Sequence, residues 1–107
     1  MSEAYFTVEI AHDSDPGRVV ASGELDAASA HQLAEVLAQA HAVDATAALD
    51  LDLGAVSFID SSGLRVIAQE VRAAADARRA FTISSASDPV RRIFAMTGLE
   101  GLLAPTA

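Results

Sequence analysis

Residues 56–64 read Val56-Ser57-Phe58-Ile59-Asp60-Ser61-Ser62-Gly63-Leu64 and pass from apolar residues into a short polar group. Before them, Ala47 to Leu53 alternates leucine with aspartate, which is typical of a strand. After them comes an amphipathic pattern whose apolar stripe is Leu64, Ile67, Ala68, Val71 and Ala75. The sequence therefore predicts a strand, a short loop and a helix that begins around Ser61-Ser62-Gly63.

The N-terminal segment predicts two more strands and another helix. Tyr5 to Ala11 and Arg18 to Ser22 are predicted strands, and the turn formers between them predict an antiparallel hairpin. Apolar residues then recur at i, i+3, i+4 and i+7, which predicts a first helix with Asp26 or Ser29 as its N-cap.

The C-terminal segment predicts a last strand and a third helix. The strand is predicted at Ala80 to Ser84 and is followed by a loop at Ser85 to Ser87. Asp88 is the predicted N-cap of the third helix, with Pro89 at its first position and Gly98 after its last turn. The apolar side of this helix and of the tail behind it is predicted to be Val90, Ile93, Phe94, Thr97, Leu99, Leu102 and Leu103.

The resulting order β-β-α-β-α-β-α predicts an α/β fold. Two strands joined through a helix usually lie parallel. We therefore expect a single mixed sheet of four to five strands, with an antiparallel first strand, the remainder parallel and the helices packed on it. Residues 1–107 are predicted to form a single domain, since about 100–200 residues is an ordinary domain length.

Composition and charge exclude several classes of function. Fifteen acidic residues against seven basic ones, all arginine, leave a net charge of −8, which disfavours nucleic acids and anionic membrane surfaces as partners. The absence of cysteine excludes disulfides, thiolate metal sites and thiol nucleophiles. The sequence has neither a basic leader nor an apolar run of about 18 residues, so we expect a cytoplasmic protein.

The patterns of common enzyme sites are also missing from the sequence. No Gly-x-Ser-x-Gly elbow surrounds the two serines, and no lysine is present for a nucleotide-binding P-loop. His12, His31 and His41 lack the i, i+4 spacing of a chelate on a helix. Neither a metal nor a cofactor is predicted.

The two serines at the start of the second predicted helix are the candidate functional residues. Partners of open α/β sheets dock beyond the carboxyl ends of the parallel strands, where this loop is expected to lie. Free N–H groups at a helix N-terminus favour an added negative group, so a phosphoserine could be held there. Alternatively, Asp60 or Ser61 merely caps the helix. Gly63 would permit close backbone approach or tight packing of the helix on a strand.

Three segments stand in a characteristic order along the chain. They are Gly23-Glu24-Leu25-Asp26, then Leu51-Asp52-Leu53 running into Phe58 to Leu64, and finally Val90 to Leu99. Together they resemble the STAS domain family and, within it, the bacterial anti-sigma factor antagonists. The resemblance covers essentially the whole chain and implies a regulatory switch rather than an enzyme.

The resemblance implies a cycle of phosphorylation. In these antagonists the serine after the loop aspartate, here Ser61, is phosphorylated by the anti-sigma factor, which is an ATP-dependent serine kinase. The unphosphorylated antagonist binds the anti-sigma factor and frees the sigma factor, whereas the phosphorylated antagonist does not bind. A metal-dependent serine phosphatase resets the cycle.

The resemblance also implies a partner-binding surface formed by Asp26, Asp60, Ser61, Ser62, Gly63 and Arg65. Plainer roles stay open, because Asp26 could cap the first helix, Ser62 could cap the second, and Arg65 could lie on a solvated face. Asp52 either hydrogen-bonds the loop backbone or lies on a solvated strand face.

Two other functions stay open at this point. The first is a STAS subunit of a transport or stress-signalling scaffold complex. The second is nucleotide binding, which the acidic composition and the missing lysines disfavour. We expect a monomer or a weak dimer, because the strand at Tyr5 to Ala11 would lie at a sheet edge and could pair between molecules.

Overall fold

The computed structural model describes residues 6–11, 17–43, 47–99 and 101. The strands are β1 (Phe6–Ala11), β2 (Gly17–Leu25), β3 (Leu49–Ile59) and β4 (Phe81–Ala86), and the helices are α1 (Ala30–Val43), α2 (Ser61–Ala77) and α3 (Asp88–Thr97). Their order along the chain is the predicted one. Residues 12–16, between β1 and β2, lie outside the described residues, as do Leu102 and Leu103.

The four strands form one mixed sheet in the order β1-β2-β3-β4. β1 runs antiparallel to β2, with Phe6 opposite Gly23 and Ala11 opposite Arg18. The β2–β3 and β3–β4 pairs are parallel, and each is joined through a helix, as a parallel connection requires. The predicted α/β fold, with an antiparallel first strand and parallel neighbours, is confirmed.

The apolar side chains of the sheet form the core together with the helices. α1 packs on β1, β2 and α2, whereas α2 and α3 both contact β3. Val19 and Ala21 of β2 and Leu51 and Leu53 of β3 are fully buried, while Val20 and Asp52, which alternate with them, are half-buried. The remaining buried apolar residues of this cluster are Leu25, Leu33, Leu37, Leu49, Val56, Ile59, Ile67, Ile83, Ala86, Val90 and Phe94.

Three strands, β2, β3 and β4, extend beyond their predicted ends. β3 continues past Leu53 to Ile59, because β2 also extends and pairs its Leu25 with Ile59. Two register shifts interrupt the β2–β3 pairing, and such irregularities hide the simple alternation on which the prediction depended. Ser85 and Ala86, predicted in a loop, likewise belong to β4. Because β3 ends at Ile59 and α2 begins at Ser61, the predicted loop before α2 is reduced to Asp60 alone.

The ends of α3 follow the prediction only in part. Its N-cap is Ser87 rather than Asp88, and Asp88 is the first residue of the helix. Ser87 Oγ donates a hydrogen bond to the carbonyl of Val56 in β3 and makes no side-chain capping bond. Gly98 ends the helix in the left-handed conformation with φ 79°, as predicted. In the part of the chain that is described, no helix is long and apolar enough to cross a membrane.

The buried side of α2 is rotated relative to the predicted stripe. Ile67 is buried as predicted, but the other buried residues of the helix are Gly63, Glu70 and Ala74, and Ala75 is exposed. The reason is that α2 packs against α1 as well as β3, so its buried side lies between the two contacts. Of the other predicted core residues, Leu64, Ala68, Val71, Ile93 and Leu99 are half-buried and Thr97 is exposed.

A buried charged cluster joins α1, α2 and the segment before β4. Arg79 Nη2 donates to Glu70 Oε2 at 2.9 Å, and His41 Nε2 lies 2.7 Å from the same oxygen. Glu70 is 6% exposed and Arg79 is 7% exposed. Because a buried charge is costly unless it is paired, the carboxylate and the guanidinium each allow the burial of the other.

Candidate functional site

Asp60 is the one residue between β3 and α2, and it holds the two elements together. Its Oδ1 accepts hydrogen bonds from the N–H groups of Ser62 at 2.8 Å and Gly63 at 3.3 Å, so Asp60 is the N-cap of α2. Its own N–H donates to Leu25 O at 3.1 Å, which continues the β2–β3 ladder by one bond. The alternative that Asp60 caps the helix is confirmed, and Ser61 becomes the first helical residue.

Gly63 is buried where the first turn of α2 crosses the ends of β2 and β3. A Cβ added at this position would lie 2.6 Å from Leu25 Cγ and 3.0 Å from Ile59 Cγ1. Contacts of that length do not fit, so any larger residue would push the helix away from the sheet. The expected tight packing of helix on strand is confirmed, and it brings the first turn of α2 to the carboxyl edge of the sheet.

The two serines of this turn differ in accessibility. Ser61 is exposed, and its hydroxyl makes no hydrogen bond within the described ranges of the chain. Ser62 is half-buried, and its N–H is occupied by the Asp60 carboxylate. Of the two hydroxyls, that of Ser61 is therefore the more open to a modifying enzyme or a partner.

Asp26 stands at the end of β2 as Asp60 stands at the end of β3. The two aspartates follow Leu25 and Ile59, which are paired residues of parallel strands, so they lie side by side at one edge of the sheet. Asp26 Oδ1 accepts from the N–H groups of Ala28 at 3.0 Å and Ser29 at 3.2 Å. Asp26 thus caps the turn at residues 27–29, whereas the prediction made it the N-cap of the helix itself, which begins only at Ala30.

Ser29, the other predicted cap of α1, is buried and forms hydrogen bonds within this turn. It is 5% exposed, and its Oγ accepts from the Asp26 N–H at 2.9 Å and lies 2.8 Å from Glu24 O. The hydroxyl therefore ties the turn back to the last residues of β2. Both aspartates of the edge are fixed by backbone hydrogen bonds rather than left to rotate in solvent.

Asp52 and Arg65 differ in how they relate to this edge. Asp52 Oδ1 accepts from the Gly54 N–H at 2.9 Å, inside β3, so the predicted bond to a backbone exists but it supports an irregularity of the strand and not the start of α2. Arg65 is exposed on α2, and it makes no ion pair or hydrogen bond to any described residue. Its predicted solvated position is confirmed.

Phe58 is a residue of this edge that sequence reasoning did not single out. It is 48% exposed although it is a large aromatic residue, and it lies opposite Glu24 in the β2–β3 register. The exposure of Phe58 can be inferred from the apolar Ile59 beside it, because adjacent residues of a strand point to opposite faces of the sheet. That inference applies only once β3 is known to reach Ile59.

The arrangement offers no assembled metal site among the described residues, where no three histidine or carboxylate side chains are grouped. His12 lies outside the described residues. The edge instead combines one accessible hydroxyl, two fixed carboxylates, a solvated guanidinium and an exposed aromatic ring. Such a set is suited to binding a protein surface and to accepting a charge-changing modification.

Comparisons with known proteins agree with this arrangement. The family model described as "Mlab, STAS domain" matches residues 8–104. The anti-sigma-B factor antagonist of Listeria monocytogenes is 30% identical over 91 residues, which are 85% of this chain and 79% of that protein.

Solved structures show the same fold. An anti-sigma factor antagonist from Mycobacterium paratuberculosis is 27% identical with a TM-score of 0.79, over 98% of this chain and 90% of that chain. The anti-sigma factor antagonist SpoIIAA in its unphosphorylated form has a TM-score of 0.76 at 21% identity, over 94% of this chain and 89% of that chain. At this identity, the likeness to SpoIIAA concerns the fold alone.

The matched residues and the shared architecture place the chain in the STAS domain family. Within that family it belongs to the anti-sigma factor antagonists, which are regulatory binding proteins and not enzymes. The resemblance carried by the three sequence segments is confirmed.

Proposed function

We propose that this protein binds an anti-sigma factor in its unphosphorylated form and that phosphorylation of Ser61 abolishes the binding. The contact is made by what we call the Ser61 surface, which consists of Asp26, Asp60, Ser61, Ser62, Gly63 and Arg65. The observation that carries the proposal is the open Ser61 hydroxyl directly after the fixed carboxylate of Asp60 in an anti-sigma factor antagonist. Gly63 is buried and contributes by holding the first turn of α2 against the sheet.

The local electrostatics support a switch of this kind. A phosphoryl group adds a charge of roughly −1.5 to −2 at neutral pH. Asp60 and Asp26 cannot turn away from it, because their carboxylates are engaged by the backbone N–H groups of α2 and of the turn before α1. Phosphorylation would therefore concentrate negative charge at one place on the surface without unfolding the domain. A partner surface that fits the uncharged hydroxyl would lose affinity through desolvation and repulsion.

The proposed cycle involves two further proteins. The anti-sigma factor is itself an ATP-dependent serine kinase, and it transfers the γ-phosphoryl group of ATP to Ser61 Oγ while ADP leaves and the hydroxyl proton is released. The sigma factor is free while the unphosphorylated antagonist occupies the anti-sigma factor. A metal-dependent serine phosphatase hydrolyses the phosphoserine and restores binding. We place this exchange in the cytoplasm, because sigma factors act on RNA polymerase there.

A related solved structure supports phosphorylation as a property of this fold. The Bacillus cell fate determinant SpoIIAA has been solved in its phosphorylated form, and it matches 94% of this chain with a TM-score of 0.70. The same protein in its unphosphorylated form matches with a TM-score of 0.76. Both forms keep the fold described above, which is consistent with a switch that changes surface charge.

The direct test incubates the full-length protein with ATP and each kinase-type anti-sigma factor of its own genome. Intact-mass analysis should find one added phosphoryl group on Ser61. Ser61→Ala should stay unmodified and bound in the presence of ATP, whereas Ser61→Glu should bind about tenfold or more weakly. Ser62→Ala is the matched control, because it removes the neighbouring hydroxyl and should still accept one phosphoryl group.

Two results would contradict the proposal. Modification of Ser62→Ala at an unchanged rate together with modification of Ser61→Ala would move the phosphorylated residue elsewhere. Equal affinity of the wild type, Ser61→Ala and Ser61→Glu for every kinase would reject serine control. That second outcome would favour the alternative function, a STAS subunit of a transport or stress-signalling scaffold complex, in which binding does not depend on Ser61.

A further inference from the structure

Arg65 lies one helical turn after Ser61 on α2. Residues at i and i+4 of a helix are neighbours on the same face, with about 5–6 Å between their Cβ atoms. Both residues are exposed, so both side chains emerge from the same solvated side of the first two turns. The long guanidinium stem can reach back toward the start of the helix, which is the direction in which helical side chains lean.

The guanidinium of Arg65 is available for a new partner. It makes no ion pair or hydrogen bond to any residue in the described ranges, in contrast to Arg18, which is bonded to Asp50, and Arg79, which is bonded to Glu70. Arg91, at the start of α3, donates its Nε to Ala86 O at 3.0 Å. An arginine that is exposed and uncommitted beside a modifiable serine would meet little competition for the modifying group.

A phosphoryl group on Ser61 would need such a partner. The carboxylates that stand nearest in the chain and at the same sheet edge, Asp60 and Asp26, are held in place by their capping hydrogen bonds. The N–H groups of Ser62 and Gly63, which would otherwise attract an anion at a helix N-terminus, already donate to Asp60. The N–H of Leu64 donates to Asp60 O, so three N–H groups of the first turn are committed to Asp60 and a nearby side-chain cation is a stronger source of attraction for a phosphate.

We propose that Arg65 is the intramolecular partner of a phosphoryl group on Ser61. This inference rests on the proposed modification of Ser61. Guanidinium and phosphate form charge-assisted, often bidentate hydrogen bonds. When Ser61 is unmodified, Arg65 is free to contact the anti-sigma factor; when Ser61 is phosphorylated, Arg65 turns back onto the phosphate. Phosphorylation thus changes the Ser61 surface twice, because it adds an anion and withdraws a cation.

The inference can be tested without any kinase. Phosphoserine is inserted at position 61 of the full-length chain during synthesis, and its second ionisation is followed by ³¹P NMR at low salt. Arg65→Gln should raise the pKa of the phosphoserine by about 0.2–0.4, because a cation at i+4 favours the dianion. Arg65→Lys should retain part of the effect. The matched control is Arg72→Gln, an exposed arginine two turns further along α2, which should leave the titration unchanged.

Salt gives a second readout of the same contact. The difference between the wild type and Arg65→Gln should shrink as the ionic strength is raised to 1 M, because the Debye length falls to about 3 Å. Every variant keeps the same carboxylates and histidines, so their influence cancels in the comparison. If Arg65→Gln and Arg72→Gln both titrate as the wild type does, Arg65 stays in solvent and the inference is wrong.

This outcome is separable from failure of the proposed function. The phosphoserine is installed chemically, so the titration reports on Arg65 whether or not an anti-sigma factor modifies Ser61. A raised phosphoserine pKa in Arg65→Gln, together with no phosphorylation by any kinase, would leave the contact established and the switch rejected. An unchanged pKa together with phosphorylation of Ser61 would leave the switch in place and remove Arg65 from it.

Discussion

The first and third turns of α2 both carry charged groups, and they are built in opposite ways. In the first turn, Asp60 and the serines stand at the sheet edge, where Ser61 is exposed and its hydroxyl has no partner among the described residues. In the third turn, Glu70 is 6% exposed and is bonded to both Arg79 and His41. The two sites share one helix, but only the first turn has an exposed group that an enzyme could modify.

The difference separates residues that hold the domain together from residues that can change state. A buried ion pair resists any change of charge, since removing one partner leaves the other uncompensated in a medium of low dielectric constant. An exposed hydroxyl costs almost nothing to modify, because solvent screens the new charge. A phosphorylation switch placed in the third turn would unfold the protein, whereas one placed in the first turn can alter binding alone.

The largest expected effect is therefore in the third turn. Glu70→Gln keeps the size of the side chain but removes the charge that pairs with the buried Arg79. We expect a loss of about 3–5 kcal/mol in the free energy of unfolding, measured by urea denaturation. The same change on the exposed Glu35 of α1 is the matched control and should stay within about 0.5 kcal/mol of the wild type.

The contrast between the first and third turns would be contradicted if Glu70→Gln and Glu35→Gln were equally stable. Such a result would mean that Glu70 contributes no net stability and that the cluster merely tolerates its burial. A double replacement, Glu70→Leu with Arg79→Met, would then show whether apolar packing serves as well, because a buried ion pair can be replaced without loss in some proteins.

The two turns also differ in how well they could be predicted. Capping of α2 by Asp60, close packing at Gly63 and the solvated position of Arg65 follow from local chemistry that a short segment carries in full. Burial of Glu70 does not, because it depends on Arg79 beyond the end of the helix and on His41 in another helix. A period of 3.6 residues predicts an apolar stripe, but it cannot show that a charged residue outside that stripe is buried against a distant partner.

The end of β3 also depends on a distant partner, here the neighbouring strand β2. Residues 49–53 alternate clearly and were predicted, whereas residues 54–59 include a glycine bonded to Asp52 and a shift in the β2–β3 register. Pairing with β2 up to Leu25 keeps this irregular segment in the sheet. The resemblance to the family rests on three sequence segments together and does not depend on the correct end of β3.

A middle-sized effect is expected where the first turn meets the sheet. Asp60→Ala removes the acceptor of two backbone N–H groups and should lower the free energy of unfolding by about 0.5–2 kcal/mol. Asp60→Asn keeps an oxygen at the same place and should recover most of that loss. Thermal unfolding of the three proteins measures the difference. Equal stability of Asp60→Ala and the wild type would indicate that water replaces the cap and that the carboxylate serves binding alone.

The smallest expected effect is at Ser61 itself. Ser61→Ala should change the free energy of unfolding by less than about 0.5 kcal/mol, because the exposed hydroxyl has no partner to lose and alanine is a good helix former. Urea denaturation beside Asp60→Ala measures the contrast between neighbouring residues. A loss of more than about 1 kcal/mol would assign the hydroxyl a structural bond, in the usual range for a hydrogen bond. The charge added at Ser61 could then act by loosening α2 and not by repelling a partner, which is the one result that would make the first turn resemble the third.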